Sequence, residues 1–249
     1  MNAFDLKIVQ FLNTFAHRSW VVDSFFVLLS ENFLLKGGVI AALYWWAWFR
    51  RSGNKSEDRS FLLFGILSPY PALFILRCFS FILPFRERPL RNPAVHFQLP
   101  YGVPEAMIGW SSSFPKVLIG WSSFPSDNAL LFFILATCLF FVSRRAGLFG
   151  FFHGVLVVGV PRIYLGYHYP TDILGGALLG IAVAGLSKVT AIRAAVTRRP
   201  LLWFEIRPDL SYAGFFLLSF VTATTVDPIV EIARYLYGVT ARVLRVLHP

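Results

Sequence analysis

Charged side chains are scarce in this chain. Only 14% of its 249 residues are Asp, Glu, Lys or Arg, while 56% are hydrophobic. An average soluble domain has about 25% charged residues, so this composition excludes that class and is typical of a polytopic membrane protein. The length accommodates a single all-α domain, a bundle of roughly six transmembrane helices of about 20 residues each with their loops.

Cysteine is scarce as well. Cys78 and Cys138 lie in apolar segments without metal-ligand spacing, so we expect packed thiols rather than a metal site. The N-terminus lacks the pattern of a cleaved signal, and we expect the spans themselves to direct insertion. The net charge of +10 does not indicate a nucleic-acid partner, because the cations fall largely between apolar runs, where orientation in the membrane explains them.

Apolar runs alternate with polar segments along most of the chain. Residues 3–16 show helical periodicity and predict an interfacial amphipathic helix. Whether residues 20–33 and 212–226 cross the membrane is left open, and a C-terminal apolar and amphipathic extension covers 210–249. The predicted spans are 34–49, 61–83 with a kink at its prolines, 130–142, 148–165 and 173–186.

The cationic loops predict the orientation of these spans. If the spans alternate, residues 50–59, 144–145 and 188–207 lie on one side, and their Lys and Arg content makes that side cytoplasmic. The long loop 84–125 and the turn 166–172 then share the opposite, extracytoplasmic face. Segments that are distant in sequence are therefore expected to meet there.

Three ionisable residues cluster in the turn between the last two of these spans. Arg162, His168 and Asp172 offer an arginine fork for phosphate oxygens, an imidazole that can attack phosphorus, and a carboxylate that can stabilise the resulting cation. Each one alone has a simpler explanation: a snorkelling arginine, an interfacial histidine and a helix N-terminal charge. Because such groups are costly at membrane depth, their combination favours a site.

Two further polar segments are predicted at the same face. Pro125-Ser126 precedes an apolar run and predicts a capped helix start, whose amides can bind an anion or can simply be capped. Arg86, Arg88 and Arg91 flank Pro89, either as a snorkelling cluster or as ligands of a phosphate dianion. Residues 108–115 are nearly repeated by 119–125, and only the second copy leads into a span.

At these segments the chain resembles the type-2 phosphatidic acid phosphatase superfamily, whose members are related to vanadium haloperoxidases. The family motif S-R-x5-H-x3-D is matched from Arg162 onward, with Pro161 in place of Ser. P-S-G-H is matched at its first two positions and then departs at Asp127 and Asn128. In K-x6-R-P the Arg-Pro pair is present, while Phe81 stands in place of Lys.

The resemblance covers roughly residues 60–190 and looks most similar to the undecaprenyl-diphosphatase branch. It implies a lipid phosphate or diphosphate substrate, no metal and no cofactor. His168 would be the nucleophile that forms a phosphohistidine, and Asp172 would orient it. The phosphate would be held by Arg88, Arg162, Ser126 and the backbone at Asp127, with Arg86 or Arg77 supplying the charge of the missing Lys.

Asn128 occupies the position of the family's general-acid His. An amide cannot deliver a proton near neutral pH, so either the enzyme is impaired or its leaving group needs little help. A phosphate monoester is a stable leaving group, since its second pKa is about 6, whereas an alkoxide is not. This difference predicts a preference for a polyprenyl diphosphate. The alternatives are a phosphatidic acid or phosphatidylglycerophosphate phosphatase, or a non-catalytic lipid-phosphate binder.

Overall fold

A computed structural model describes residues 2–51, 53–80, 82–103 and 122–224. These residues form helices joined by loops, without a strand, which confirms the all-α class. The α-helices are α1 Ala3–Asn13, α2 Trp20–Glu31, α3 Val39–Phe49, α4 Lys55–Leu67, α5 Pro69–Ser80, α6 Asp127–Val142, α7 Arg144–His153, α8 Val160–Tyr164, α9 Pro170–Gly185, α10 Thr190–Ile206 and α11 Pro208–Ala223. π-Helical turns at Leu34–Gly38 and Gly154–Gly159 continue into α3 and α8.

The prediction of six spans is not confirmed within these ranges. Three helical runs are long and apolar enough to cross a membrane, namely Lys55–Phe79, Arg144–Tyr164 and Pro170–Lys188. The pair Trp20–Glu31 and Leu34–Phe49 bends by 60° and counts as one further span at most. Helices α6 and α11 each have 16 residues, or about 24 Å at the helical rise, which is short of a hydrocarbon core of about 30 Å.

Helix α6 is the centre of the bundle. Its sequence is apolar on every side, as expected for a helix surrounded by protein, and its residues from Asn128 to Leu139 are all buried. It packs against α4, α7 and α9. A large core cluster joins α6 to α3 and α4, and the Tyr44 hydroxyl in it donates a hydrogen bond of 2.9 Å to the Leu135 carbonyl.

Two glycines let α9 approach α6 very closely. A Cβ atom at Gly176 would lie 2.3 Å from the Ser126 carbonyl oxygen, and one at Gly180 would lie 2.5 Å from that of Leu130. The Gly-x-x-x-Gly spacing of these two residues therefore permits close packing of the two helices. Its effect is to press the start of α6 against the first turns of α9, where His168 and Asp172 lie nearby.

The polar segments separate to the two ends of the bundle. At one end, the Ser123 amide donates to the Arg86 carbonyl (2.7 Å) and the Leu90 amide donates to the Gly166 carbonyl (3.0 Å). At the other end, Arg50 donates to the Val142 carbonyl at 2.9 Å, and Arg193 pairs with Glu57 at 3.1 Å. The described parts of the segments 84–125 and 166–172 therefore lie at the same end of the bundle, as predicted.

Some predicted segments differ from the observed ones or fall outside the described ranges. Residues 188–207, treated as a polar loop, are mostly helix α10, which contains Pro200. The predicted kink coincides with an interruption between α4 and α5 at Ser68. Phe81, the first copy of the near-repeat and the C-terminal extension beyond 224 lie outside the described residues.

Candidate active site

The turn that carries His168 is fixed by its own backbone. The amides of Tyr167 and His168 both donate to the Arg162 carbonyl, at 2.9 and 3.2 Å. Gly166 has φ +72°, and a Cβ atom there would lie 2.7 Å from the Phe97 ring. Both the conformation and the space therefore require glycine at this position.

His168 presents one free nitrogen inside the protein. His168 is only 2% exposed, and its Nδ1 lies 2.9 Å from the Ser123 carbonyl oxygen. A carbonyl can only accept, so Nδ1 carries the proton and the lone pair of the neutral ring is on Nε2. Nε2 is buried and has no hydrogen-bond partner. This is the tautomer that a nitrogen nucleophile requires.

Asp172 acts on the imidazole less directly than the sequence predicts. Its carboxylate is fully buried, and Oδ2 accepts hydrogen bonds from the Ser123 hydroxyl (2.5 Å) and the Tyr169 amide (2.7 Å). The same oxygen lies 3.7 Å from Nδ1 of His168, which is beyond hydrogen-bond distance. Asp172 therefore holds Ser123, whose carbonyl orients the ring, and contributes its charge across the short gap.

The surroundings keep His168 neutral. Burial lowers the pKa of its imidazole below the usual 6.5, and the nearby cations Arg88 and Arg162 lower it further. Asp172 and Asp127 oppose this shift without reversing it. The ring is therefore a free base at neutral pH.

Two arginines face the imidazole. Burial, followed by repulsion from the neighbouring arginines, lowers the pKa of Arg88 to about 10, so it stays cationic at neutral pH. Arg162 lies over the Tyr167 ring, with 5.7 Å between its Cζ and the centroid, and its buried Nε has no hydrogen-bond partner. Together they supply positive charge and a donor for phosphate oxygens.

The start of α6 is a capped helix N-terminus, as predicted for Ser126. Ser126 caps the helix, with its hydroxyl accepting from the Ala129 amide at 3.4 Å, but its own amide donates to the Asp172 carbonyl at 3.0 Å. The Asn128 amide donates to the Asp127 side chain at 2.8 Å. The amides of Ser126, Asn128 and Ala129 are thus already engaged within the protein.

The two arginines proposed to replace the missing lysine go to different carboxylates. Arg77 forms an ion pair of 2.5 Å with Asp127, which itself interacts with Arg88, Arg162 and His168. Arg86 forms an ion pair of 2.5 Å with Asp172. Arg77 therefore reaches the arginine cluster through Asp127, whereas Arg86 joins the carboxylate that supports the imidazole.

Asn128 is buried next to this cluster. Its Nδ2 donates to Asp127 Oδ1 at 3.1 Å, while its Oδ1 has no hydrogen-bond partner. The amide has no titratable proton.

The described residues contain no group of three or more His, Cys, Asp or Glu that could hold a metal ion. His153 lies elsewhere, with Nε2 2.8 Å from the Leu35 carbonyl oxygen, as expected for a packed histidine.

Sequence reasoning missed three polar residues of this region. Ser123 had a usable signal, because it stands three residues before the cap in a polar stretch. Tyr167 stands beside His168, and its buried hydroxyl has no hydrogen-bond partner. Asp5 had no signal, since it is an isolated carboxylate in an interfacial helix, yet it is fully buried and paired with Arg86.

Comparison with known proteins agrees with the motifs. The family model described as the PAP2 superfamily matches residues 90–194. Undecaprenyl-diphosphatase BcrC of Bacillus subtilis (strain 168) is 24% identical over 184 residues, which are 72% of this chain and 80% of that protein. Bacitracin transport permease protein BcrC of Bacillus licheniformis is 35% identical over 83 residues, which are 33% of this chain and 40% of that protein. No solved structure gives a significant match.

The matched segment contains Ser126, Arg162, His168 and Asp172, and it begins directly after Arg88-Pro89. The family resemblance predicted from the three motifs is therefore confirmed: residues 90–194 match the PAP2 superfamily.

Proposed function

We propose that the protein is a membrane phosphatase that hydrolyses a polyprenyl diphosphate to the monophosphate through a phosphohistidine. The observation that carries this proposal is the buried Nε2 of His168, which has no hydrogen-bond partner while Nδ1 is bound to the Ser123 carbonyl. A nucleophile of this kind needs cations to hold its target, and Arg88 and Arg162 interact with the imidazole from its surroundings. The PAP2 match supports the same chemistry.

The reaction proceeds in two steps. In the first, the Nε2 lone pair attacks the terminal phosphorus, the N–P bond forms, and the bridging P–O bond breaks with its electron pair on the leaving monophosphate. The imidazole becomes cationic, and the charge of Asp172 stabilises it. In the second, water attacks the phosphohistidine, the N–P bond breaks, and inorganic phosphate leaves with neutral His168. Arg88 and Arg162 stabilise the phosphoryl oxygens in both steps.

Asn128 supports the diphosphate as substrate. No proton is needed by a leaving phosphate monoester whose second pKa is about 6, whereas an alkoxide leaving group requires one. The name of the B. subtilis relative, an undecaprenyl-diphosphatase, fits the same choice. Prenyl chains also suit a site at one end of an apolar bundle.

The end of the bundle opposite the site carries the cationic connections, including Arg50, Lys188 and Arg193. Since such loops stay in the cytoplasm, we infer that the site faces the extracytoplasmic side of a cell membrane. The orientation is tested in intact cells by replacing the exposed Phe85 with cysteine and adding a membrane-impermeant thiol reagent. Labelling of this cysteine supports the extracytoplasmic orientation.

The test of the function is phosphate release by the purified protein from a polyprenyl diphosphate and from phosphatidic acid. We expect faster release from the diphosphate, loss of both activities in His168→Ala, and an acid-labile phosphoenzyme that is absent from the variant. Faster turnover of phosphatidic acid contradicts the substrate assignment. If the protein binds vanadate or lipid but releases no phosphate, the enzymatic function is contradicted and the non-catalytic lipid-phosphate binder is supported.

A further inference from the structure

The N-terminal helix reaches the active site through a buried carboxylate. Asp5 lies in the first turn of α1 and is fully buried, although its helix was predicted only to lie in the interface. Its carboxylate accepts hydrogen bonds from the Thr171 amide (2.9 Å) and the Thr171 hydroxyl (2.6 Å), and forms an ion pair with Arg86. Because a buried charge is costly unless it is paired, this arrangement indicates a specific role.

Arg86 connects Asp5 to the carboxylate that supports His168. One end of its guanidinium binds Asp5, and the other donates to Asp172 Oδ1 at 2.5 Å and to the Thr171 hydroxyl at 2.8 Å. Its Cζ lies 4.2 Å from the centroid of the Tyr169 ring. The opposite oxygen of Asp172 is the one that binds Ser123 and faces His168.

Charge explains why a second carboxylate is needed behind this arginine. Arg86 and Asp172 alone form a neutral pair, which would offer the imidazole little stabilisation when it becomes cationic. With Asp5 included, the group Asp5–Arg86–Asp172 carries one net negative charge. In this group one arginine joins two carboxylates through ion pairs.

We propose that Asp5 is a positioning residue for the phosphoryl transfer: it neutralises Arg86, so that Asp172 keeps an effective negative charge toward His168. The proposal rests on the proposed function, because it concerns the cation formed when Nε2 attacks phosphorus. Its effect acts through Arg86 and Asp172 and does not require contact with the substrate. The other charges that face the imidazole are Arg88, Arg162 and Asp127, and they are unchanged in the variants below.

Charge removal at the two positions has opposite expected effects. Asp5→Asn keeps the shape and an acceptor for Thr171 but removes one negative charge, so the imidazolium is less favoured and the pKa of His168 falls. Arg86→Gln removes a positive charge, so that pKa rises. The double variant restores the net charge and returns it close to the wild-type value. A shift of about half a pKa unit is expected, because both charges act on the imidazole through Asp172.

The experiment measures the pKa of His168 by NMR of histidine-labelled protein in detergent, with the signal assigned by its loss in His168→Gln. In parallel, kcat for the polyprenyl diphosphate is expected to fall about 10-fold in Asp5→Asn with a smaller change in KM, and to recover in part in the double variant. Opposite shifts with recovery support the proposal. Shifts of the same sign, or none, overturn it.

A matched control separates positioning from folding. Asp23 is also a fully buried carboxylate near the N-terminus, where it binds the amides of His17 and Tyr101. Asp23→Asn is expected to lower thermal stability without moving the pKa of His168. If wild type releases no phosphate, the proposed function fails, while the NMR shifts still decide whether Asp5 acts on the imidazole.

Discussion

Restoring a histidine at position 128 is the sharpest test of the substrate assignment. Asn128 is the second residue of α6, is 7% exposed, and donates through Nδ2 to Asp127 Oδ1 at 3.1 Å. An imidazole in this place would lie beside the same carboxylate, which favours its protonated form. Asn128→His therefore supplies a proton donor next to the arginines that we propose hold the phosphate.

The expected gain depends on the leaving group. A positioned general acid contributes about 100-fold to 10,000-fold where the leaving group needs a proton. Allowing for imperfect placement in a buried position, we expect kcat/KM for phosphatidic acid to rise about 10-fold to 100-fold. For a polyprenyl diphosphate the leaving monophosphate is already stable, and the rise is expected to stay under about 3-fold.

The assay is release of inorganic phosphate from both lipids by wild type and variant in the same detergent. Asn128→Gln is the matched control, because it enlarges the side chain while keeping the amide. An equal rise on both substrates, or the same rise with Asn128→Gln, would refute the reasoning about this position. A loss of folding would be visible as a lower melting temperature and is separated by that measurement.

Three further outcomes are expected. The kcat/KM of wild type should be independent of pH near neutrality and should fall below pH 6.5, because protonation of His168 removes the lone pair that attacks phosphorus. A fall in kcat/KM that begins above pH 6.5 contradicts this. In a denaturation experiment, Gly176→Ala should lower the free energy of unfolding by about 1–3 kcal/mol, because its Cβ would lie 2.3 Å from the Ser126 carbonyl oxygen. Gly185→Ala, whose Cβ would have nothing within 4 Å, should not destabilise the protein. Arg77→Met should raise KM for the diphosphate about 10-fold, because Asp127 then draws more strongly on Arg88 and Arg162. Adding Asp127→Asn should restore part of the affinity, and an unchanged KM would contradict this.

The site could be predicted from sequence where it depends on spacing. Arg162, His168 and Asp172 belong to one short stretch, and the alternation of apolar runs was enough to bring Arg88 and Ser126 to the same end of the bundle. These features follow from local pattern and from the geometry of alternating helices.

What the sequence could not show depends on contacts between distant segments. The sequence predicted that Asp172 orients the imidazole but did not predict the contacts of Ser123, which is hydrogen-bonded to both residues and is brought there by the fold. Asp5 becomes part of the site only because α1 packs against the turn that follows α8. The number of spans is also not readable from apolar length, since α2 and α3 bend against each other and α6 is short.

Asp23 has a consequence for how the substrate meets the protein. Its carboxylate is bonded to the Tyr164 hydroxyl on the helix before the active-site turn, as well as to the amides at His17 and Tyr101. The loop at Tyr101 is thus linked through Asp23 to α8 and to the segment that follows α1. If a lipid headgroup binds beside this loop, the loop is already ordered, and less of the binding free energy is lost in ordering it.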